Sequence, residues 1–292
     1  MTIASDHVVG NRIRAAGIDT YYLDSGTGEP VVLLHGSGPG VSAWANWMHT
    51  IPGLAKRFRV LAPELVGYGS TERPADIRYG VRTWVDHALG FLDALELPRV
   101  SIVGNSMGGL VALHIAQRSP DRLNRMVLMG APGIGMVPTE GLAALRAYEP
   151  SPRAMRELMT NYFAFDPSIV TDDLVHARYQ ASAAPGVQET YRAMFHDPRH
   201  TGDNLVLDED RVRGVQTPTL IVHGRDDKII PVEVGWTMAG LLPQARLHVF
   251  PRCGHWAQIE WAAEFVNLIS DFLGGADPTA ARDPERDPKE EN

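Results

Sequence analysis

Residues 102–109 read IVGNSMGG, which places a serine between two glycines at the end of an apolar run. Such a run is typical of a buried strand, and the pattern of residues 107–117 is typical of a helix. A sharp turn from strand to helix strains the serine backbone, and side chains two residues before or after it would clash. Gly104 and Gly108 remove those side chains. The pattern predicts a nucleophile elbow at Ser106, although a five-residue match by chance leaves a plain turn residue as the alternative.

Short apolar runs bounded by turn residues recur along the chain and predict strands buried on both faces. They lie at residues 31–34, 59–62, 100–103, 126–129, 219–223 and 246–250. Helical patterns lie between several of them, at residues 83–97, 107–117 and 262–273. This alternation predicts an α/β fold with a mostly parallel sheet covered by helices on both faces. Two earlier runs, around Ile13 and Tyr21, predict an antiparallel hairpin at one edge.

Two segments interrupt this alternation. Residues 135–211 contain no convincing strand and are too long for a structureless loop, so we expect a helical lid inserted between residues 1–134 and 212–273 of the core. The last nineteen residues, 274–292, hold six acidic and three basic side chains and no large apolar one. We expect this acidic tail to be disordered, because it cannot offset its own ordering entropy.

The composition excludes several classes of protein. With 292 residues and a net charge of −8, the chain is long enough for one large domain with an insertion and too acidic for a nucleic-acid partner. No run approaches the roughly 18 apolar residues of a membrane span, and the N-terminus carries no secretory signal. Cys253 is the only cysteine, so no internal disulfide can form. These features fit a reducing, cytoplasmic setting.

A serine hydroxyl needs a base, and sites in open α/β sheets form at the carboxyl ends of strands. His255 is the candidate among eleven histidines, because it follows the last strand and completes the order serine, acid, histidine. The orienting acid is Asp226 or Asp227, which both follow the strand at residues 219–223. We prefer Asp227, because hydrolases of this fold usually carry Gly-x-x-Asp there, and we expect the other aspartate to be a solvated loop charge.

The loop HGSGPG, residues 35–40, is small enough for its backbone N–H groups to approach a substrate oxygen. Ser37 and Gly38 are the expected oxyanion donors, together with the Met107 N–H at the start of the helix. Taken alone, the loop would be a plain glycine turn. We expect Cys253 to be a packing residue. We expect no metal site, since Pro198 disfavours a helix between His196 and His200 and no metal motif accompanies them.

Four stretches together resemble the meta-cleavage product hydrolases, which are α/β-hydrolases that cut a carbon–carbon bond in ring-opened aromatic compounds. They are HGSGPGVSAWANW, GNSMGG, GRDDKIIP and LHVFPRCGHWAQIE. The resemblance runs from about residue 13 to 273. It implies a triad of Ser106, Asp227 and His255, and an oxyanion site formed by the backbone of Ser37 or Gly38 and of Met107.

The resemblance also implies that four side chains contact the dienoate end of the substrate: Asn46, Asn105, Arg178 and Trp256. A planar guanidinium suits a two-point grip on a carboxylate, although the sequence alone favours a solvated helix arginine for Arg178. At position 64, where hydrolases of this fold often carry aspartate, this chain has Glu64. That position is usually structural.

The implied reaction cleaves a 2-hydroxy-6-oxo-hexa-2,4-dienoate with a small C6 substituent to 2-hydroxypenta-2,4-dienoate and a carboxylic acid. It requires no cofactor. The resemblance further implies a dimer or larger homo-oligomer. Two alternatives stay open: a carboxylesterase on the same scaffold, and a ligand-binding receptor that kept the triad without turnover.

Overall fold

The computed structural model describes residues 8–196 and 207–275, and it confirms the predicted α/β fold. Its strands are β1 (Val9–Ala15), β2 (Ile18–Ser25), β3 (Pro30–Leu34), β4 (Arg59–Pro63), β5 (Val100–Asn105), β6 (Leu123–Met129), β7 (Thr219–Gly224) and β8 (Ala245–Phe250). They form one eight-stranded sheet in the order β1-β2-β4-β3-β5-β6-β7-β8. Every run that the sequence predicts as a strand is present.

The sheet is parallel except at β2, which pairs antiparallel with both β1 and β4. The predicted edge hairpin is therefore confirmed, with Ile13 opposite Thr20. Its two-residue turn, Ala16 and Gly17, has φ of 47° and 81°. Two consecutive residues with positive φ form the turn type whose twist matches that of the flanking strands.

Helices cover both faces of the sheet. They are α1 (Ala43–Trp47), α2 (Ile51–Leu54), α3 (Val81–Ala94), α4 (Met107–Arg118), α5 (Glu140–Arg146), α6 (Pro152–Leu158), α7 (Asp172–Ser182), α8 (Val187–Phe195), α9 (Glu209–Arg213), α10 (Val232–Leu241), α11 (Ala257–Glu260) and α12 (Ala262–Gly274). A π-helical turn, Met159–Phe163, continues α6. Within the described ranges, no helix has both the length and the apolar character needed to cross a membrane.

Alternating strand residues feed two apolar layers. In β3, Val32 and Leu34 belong to the layer that includes residues of α3 and α4, whereas Val31 and Leu33 belong to the layer that includes residues of α1 and α12. The prediction of burial on both faces fails for residues 246–250. Most of β8 is half-buried, because it lies at the edge of the sheet and pairs only with β7.

The described part of residues 135–211 contains helices and turns and no strand. We call this segment the helical insertion. Helix α9, Glu209–Arg213, crosses the expected boundary at residue 211, so its last two residues fall in the expected core. Residues 276–292 of the expected tail lie outside the described residues, as do Pro198 and His200.

Candidate active site

The turn at Ser106 has the strained geometry that the sequence predicts. Ser106 lies between the last residue of β5 and the first of α4, with φ of 51° and ψ of −115°. A Cβ at Gly104 would lie 2.4 Å from the carbonyl oxygen of Gly108, and a Cβ at Gly108 would lie 2.1 Å from that of Leu34. Both distances are far inside van der Waals contact, so any larger residue at either position would force the turn apart.

The end of β6 lies against both the elbow at Ser106 and the loop that carries His255. The backbone N–H of Ser106 donates to the carbonyl oxygen of Met129 at 2.8 Å. Asn105 is buried, and its Nδ2 donates to the same oxygen at 3.4 Å. At the next residue, Gly130, an added Cβ would lie 3.1 Å from Cε1 of His255. Ser106 and His255 therefore flank the same two residues, although they are 149 positions apart in sequence.

The structure pairs His255 with Asp227. His255 Nδ1 lies 2.7 Å from Asp227 Oδ2, and both side chains are almost completely buried. Asp227 Oδ1 accepts from the N–H groups of Ile229 and Ile230 at 2.8 and 3.0 Å. A carboxylate held in this way is an acceptor, so the histidine proton resides on Nδ1 and Nε2 keeps the lone pair that a general base needs.

Asp226 is oriented differently. Its Oδ2 lies 3.5 Å from Arg225 Nε, and its side chain is about one-third exposed. Of the two candidates, the structure places Asp227, the preferred one, against His255. Asp226 is half-buried, and its Oδ2 is buried without a hydrogen-bond partner in the described structure, so the expected solvated loop charge is wrong.

A second buried histidine, His223, also lies beside Asp227, and no motif in the sequence predicts a role for it. Its Nε2 is 2.8 Å from the carbonyl oxygen of Ile230 and 3.6 Å from Asp227 Oδ2. Burial lowers the pKa of His223, so the ring is neutral and its Nε2–H donates to the carbonyl. The ring supports the turn whose N–H groups hold Asp227. Its spacing of four residues before the acid is the only sequence signal of that role.

The loop after β3 reaches the elbow. A Cβ at Gly36 would lie 3.5 Å from Cβ of Ser106 and 2.9 Å from Oδ1 of Asn105. Ser37 and Gly38 follow it and are half-buried. Met107 is the first residue of α4, so its N–H has no acceptor within the helix. The three expected oxyanion donors thus lie in the two segments that border Ser106.

His35 anchors this loop. Its Nε2 accepts from the N–H of Leu65 at 2.9 Å, so the proton must reside on Nδ1, which donates to the carbonyl oxygen of Gly36 at 2.7 Å. Complete burial lowers the pKa of His35 to about 4, with the carbonyl of Gly36 opposing that shift. The neutral ring fixes where the chain leaves β3.

Glu64 holds the neighbouring helix. Its Oε1 accepts from the N–H of Ala43 at 3.1 Å, at the start of α1, and its Oε2 accepts from the N–H of Ser70 at 2.5 Å. Helix α1 carries Asn46, whose Oδ1 accepts from the N–H of Gly36 at 3.2 Å and whose Nδ2 is buried without a partner in the described structure. Glu64 therefore supports the segment that presents Asn46.

Arg178 is buried, so the solvated arginine that the sequence alone favours is wrong: only 7% of the residue is exposed. Its Nη1 donates to the carbonyl oxygen of Gly40 at 3.3 Å, and its guanidinium lies 5.7 Å from the centre of the Trp256 ring. No salt bridge to it exists in the described ranges, and burial lowers its pKa to about 10. A buried cation without a counterion is suited to binding an anionic group.

The insertion contacts the histidine directly through Phe163. The carbonyl oxygen of Phe163 accepts from the N–H of His255 at 2.7 Å. The Phe163 ring lies edge-on to His255 at 5.5 Å between centroids and 4.9 Å from the ring of Trp256. Nothing in the sequence marks Phe163, since aromatic residues in such a segment usually form its own core.

Cys253 is fully buried near His255, and burial raises the pKa of its thiol. A thiolate is therefore disfavoured, and Ser106 stays the candidate nucleophile in this part of the structure.

A cavity of about 390 Å³ lies beside the loop after β3, between the core and the insertion. Gly38 and Gly40 line it, with Tyr68 and Arg73 from the core and Tyr191 from the insertion among the other lining residues. Neither Ser106 nor His255 lines this cavity, so we locate the candidate reacting centre from the hydrogen bonds around His255 and not from the cavity.

Comparisons with known proteins extend the similarity to nearly the whole chain. A family model described as the alpha/beta hydrolase fold matches residues 29–262. The chain is 50% identical over 273 residues to a 2-hydroxymuconate semialdehyde hydrolase of Pseudomonas sp. (strain CF600), and the match covers 93% of this chain and 96% of that protein. It is also 50% identical over 270 residues to a 2-hydroxy-6-oxo-2,4-heptadienoate hydrolase of Pseudomonas putida (strain F1), which covers 92% and 98% of the two chains.

A solved structure is similarly close. A meta-cleavage product hydrolase from Pseudomonas fluorescens IP01, a mutant complexed with acetates, matches with a TM-score of 0.87 and 48% sequence identity. That match covers 90% of this chain and 97% of the other.

Proposed function

Because the chain belongs to the alpha/beta hydrolase family and, within it, to the meta-cleavage product hydrolases, we propose that it hydrolyses a carbon–carbon bond of a 2-hydroxy-6-oxo-hexa-2,4-dienoate. The products are 2-hydroxypenta-2,4-dienoate and a carboxylic acid. The observation that carries this proposal is the buried guanidinium of Arg178, which has no counterion in the described structure and lies next to the loop after β3. A plain esterase has no need of a buried cation there, whereas a dienoate brings a carboxylate.

In this proposal the dienoate end lies against Arg178, with Asn46, Asn105 and Trp256 as further contacts. Arg178 pairs with the carboxylate, since each alone would be costly to bury. Asn46 Nδ2 is a buried donor without a partner in the described structure, so an incoming oxygen would satisfy it. These contacts favour the keto tautomer, in which the electrons of the breaking bond are stabilised as a dienolate.

The same proposal makes Ser106, His255 and Asp227 the catalytic triad. His255 Nε2 takes the proton of the Ser106 hydroxyl, or of a water that it orients, as C6 is attacked. The C6 oxyanion is held by the N–H groups of Met107 and of Ser37 or Gly38. Ketonisation has already added a proton to C5, so when the C5–C6 bond breaks its electrons pass along the chain to the 2-oxo oxygen. That oxygen takes up a proton to give 2-hydroxypenta-2,4-dienoate, and water supplies the second oxygen of the released acid. No cofactor takes part in this sequence.

We further propose a small C6 substituent. The 50% identical relatives are named for a semialdehyde, with hydrogen on C6, and for a heptadienoate, with methyl on C6. The test is a panel of dienoates with hydrogen, methyl, isopropyl and phenyl on C6, with both products identified for each. The proposal requires kcat/KM to be highest for hydrogen or methyl. A maximum at phenyl would contradict the size assignment but not the reaction.

The alternatives are tested in the same assay. A carboxylesterase would hydrolyse simple aryl esters much faster than any dienoate on the panel. A receptor would consume about one dienoate per chain and then stop. The proposal requires many turnovers per chain on at least one dienoate.

We propose a lid role for residues 135–211, since Phe163 and Arg178 of this segment contact the loops around His255 and Gly40. We also propose a homo-oligomer, a dimer or larger, from the resemblance to the family, and a cytoplasmic location, because the chain has a single cysteine. Light scattering of the purified protein would show a mass of at least twice 32.0 kDa. A monomer at all concentrations would contradict that part.

A further inference from the structure

Glu260 is an acidic residue at the end of α11, five positions after His255, that the proposed reaction does not use. Its Oε1 accepts from the N–H of Gly254 at 2.8 Å. Its Oε2 accepts from the N–H of Phe165 at 2.8 Å and from that of Asp166 at 3.3 Å. One carboxylate therefore joins the backbone before His255 to the backbone of the helical insertion.

A second link lies directly beside the first. The N–H of His255 donates to the carbonyl oxygen of Phe163 at 2.7 Å. The two backbone segments approach so closely here that a Cβ at Gly254 would lie 2.3 Å from the carbonyl oxygen of Phe163. Residues 254 and 255 are thus both tied to the insertion, one through Glu260 and the other through Phe163.

Because of these links, the helical insertion and the loop that carries His255 cannot move independently of each other. Asp227 orients His255 through a hydrogen bond to the imidazole ring, and the insertion orients it through a hydrogen bond to the backbone N–H of His255. If the insertion shifted away, the His255 N–H would lose its acceptor and the loop would lose its anchor. A shift of about 1 Å in a catalytic group can lower a rate by a hundredfold, so these contacts matter for chemistry as well as for stability.

We propose that Glu260 is a positioning residue that couples the seating of the helical insertion to the placement of His255. This rests on the proposed function in that His255 is taken to be the general base. Glu260 acts through backbone N–H groups on both sides and contacts neither Asp227 nor the His255 ring in any described hydrogen bond. The triad is complete only when the insertion is seated.

The test compares the variants Glu260→Gln and Glu260→Ala with the control Glu264→Gln. Glu264 is exposed in the first turn of α12. Its substitution removes one carboxylate and leaves the hydrogen bonds of Glu260 intact. Gln at position 260 keeps one acceptor oxygen, whereas Ala keeps none. We expect kcat to fall about tenfold in Glu260→Gln and further in Glu260→Ala, with KM changed less than about threefold, and no effect in the control.

Hydrogen exchange gives a readout that does not depend on turnover. The amides of Phe165 and His255 should exchange at least about tenfold faster in Glu260→Gln, while that of Ile102 in the central strand stays protected. A lower melting temperature with unchanged kcat would overturn the proposal, because the carboxylate would then be merely structural. A lower kcat without faster exchange at Phe165 and His255 would also overturn it.

Failure of the proposed function is distinguishable from failure of this inference. If the wild type and Glu264→Gln both leave the dienoate intact, the proposed reaction is wrong. The exchange measurement, and turnover of an aryl ester that needs the same histidine, then still decide whether Glu260 positions His255. If the wild type is active and Glu260→Gln equals it in both readouts, the coupling is wrong.

Discussion

Arg178 is the single residue that distinguishes this site most clearly from a plain serine hydrolase. Its guanidinium is buried, stacks near Trp256 and has only the carbonyl oxygen of Gly40 as a described hydrogen-bond acceptor. Burying a charge without a counterion costs stability, and we propose that the anionic group of the substrate is what Arg178 is there to bind.

We predict that Arg178→Gln raises KM for the dienoate by roughly tenfold to a hundredfold, the effect of losing about 1.5–3 kcal/mol of charged hydrogen bonding. The melting temperature should stay the same or rise, because the unneutralised buried charge is removed. Steady-state kinetics and thermal unfolding measure the two effects. Arg153→Gln, at an exposed surface pair with Glu157, is the matched control. An unchanged KM in Arg178→Gln would exclude a carboxylate contact.

Residue roles were predictable where a motif carries them and not where distant segments meet. The elbow pattern and the chain order indicate Ser106 and His255. For the acid they allow Asp226 or Asp227, the Gly-x-x-Asp pattern favours Asp227, and the structure pairs His255 with Asp227. Phe163 and Glu260 could not be found in this way. Their role depends on contact between segments about ninety residues apart, which no local pattern encodes.

In the elbow, the backbone leaves no room for a side chain at positions 104 and 108. Glycine at 104 and 108 lets β5, α4 and the end of β3 pass within contact distance of one another. Ser106 keeps its positive φ because hydrogen bonds to Met129 and within α4 hold it there.

We predict that Gly108→Ala lowers the free energy of unfolding by at least about 3 kcal/mol, or prevents folding, since its Cβ would lie 2.1 Å from a backbone oxygen. The matched control is Gly240→Ala in α10, where an added Cβ meets nothing within 4 Å. Alanine there should stabilise by about 0.5–1 kcal/mol, because it restricts the unfolded chain. Urea denaturation measures both. Equal effects of the two substitutions would contradict the steric explanation of the elbow.

At the level of elements, the strands and the helices that pack on them follow from apolar periodicity. The short helices of the insertion do not follow from periodicity, although Thr139, Ser151 and Thr171 each cap one and so offer a local signal. The exposure of β8 depends on its place at the sheet edge, which is a property of the order of strands and not of its own sequence.

Two of the buried histidines in the described core, His35 and His87, hold loops of the whole molecule in place through both ring nitrogens. The Nδ1 of His87 accepts from the N–H of Val66 at 3.1 Å, and its Nε2–H donates to Thr20 Oγ1 at 2.7 Å. Burial lowers the pKa of each histidine to about 4. Both rings would have to break these bonds to become charged.

We predict that the protein loses stability as the pH falls from about 6.5 to about 4. In that range the unfolded chain takes up protons on these two imidazoles and the folded chain does not. The contribution is therefore fully present above pH 6.5 and decreases by up to about 3 kcal/mol for each histidine. Burial raises the pKa of Glu64, which acts in the opposite direction at the acidic end of this range.

Urea unfolding between pH 7 and pH 4.5 measures this dependence. The slope of unfolding free energy against pH reports the number of protons taken up on unfolding. In His87→Asn that number should be smaller by one, whatever the stability of the variant at pH 7. An unchanged slope would show that His87 is protonated in the folded protein, against the hydrogen bonds that the structure assigns to it.

The most direct test of carbon–carbon hydrolysis at the elbow is rapid mixing of the protein with the yellow dienolate, in the wild type and in Ser106→Ala. The wild type should bleach the colour over many turnovers, releasing one 2-hydroxypenta-2,4-dienoate and one carboxylic acid per substrate. Ser106→Ala should bind the dienoate and retain its colour, with turnover slower by at least about a thousandfold. Bleaching by Ser106→Ala at the wild-type rate, or no bleaching by the wild type, would contradict the proposed reaction.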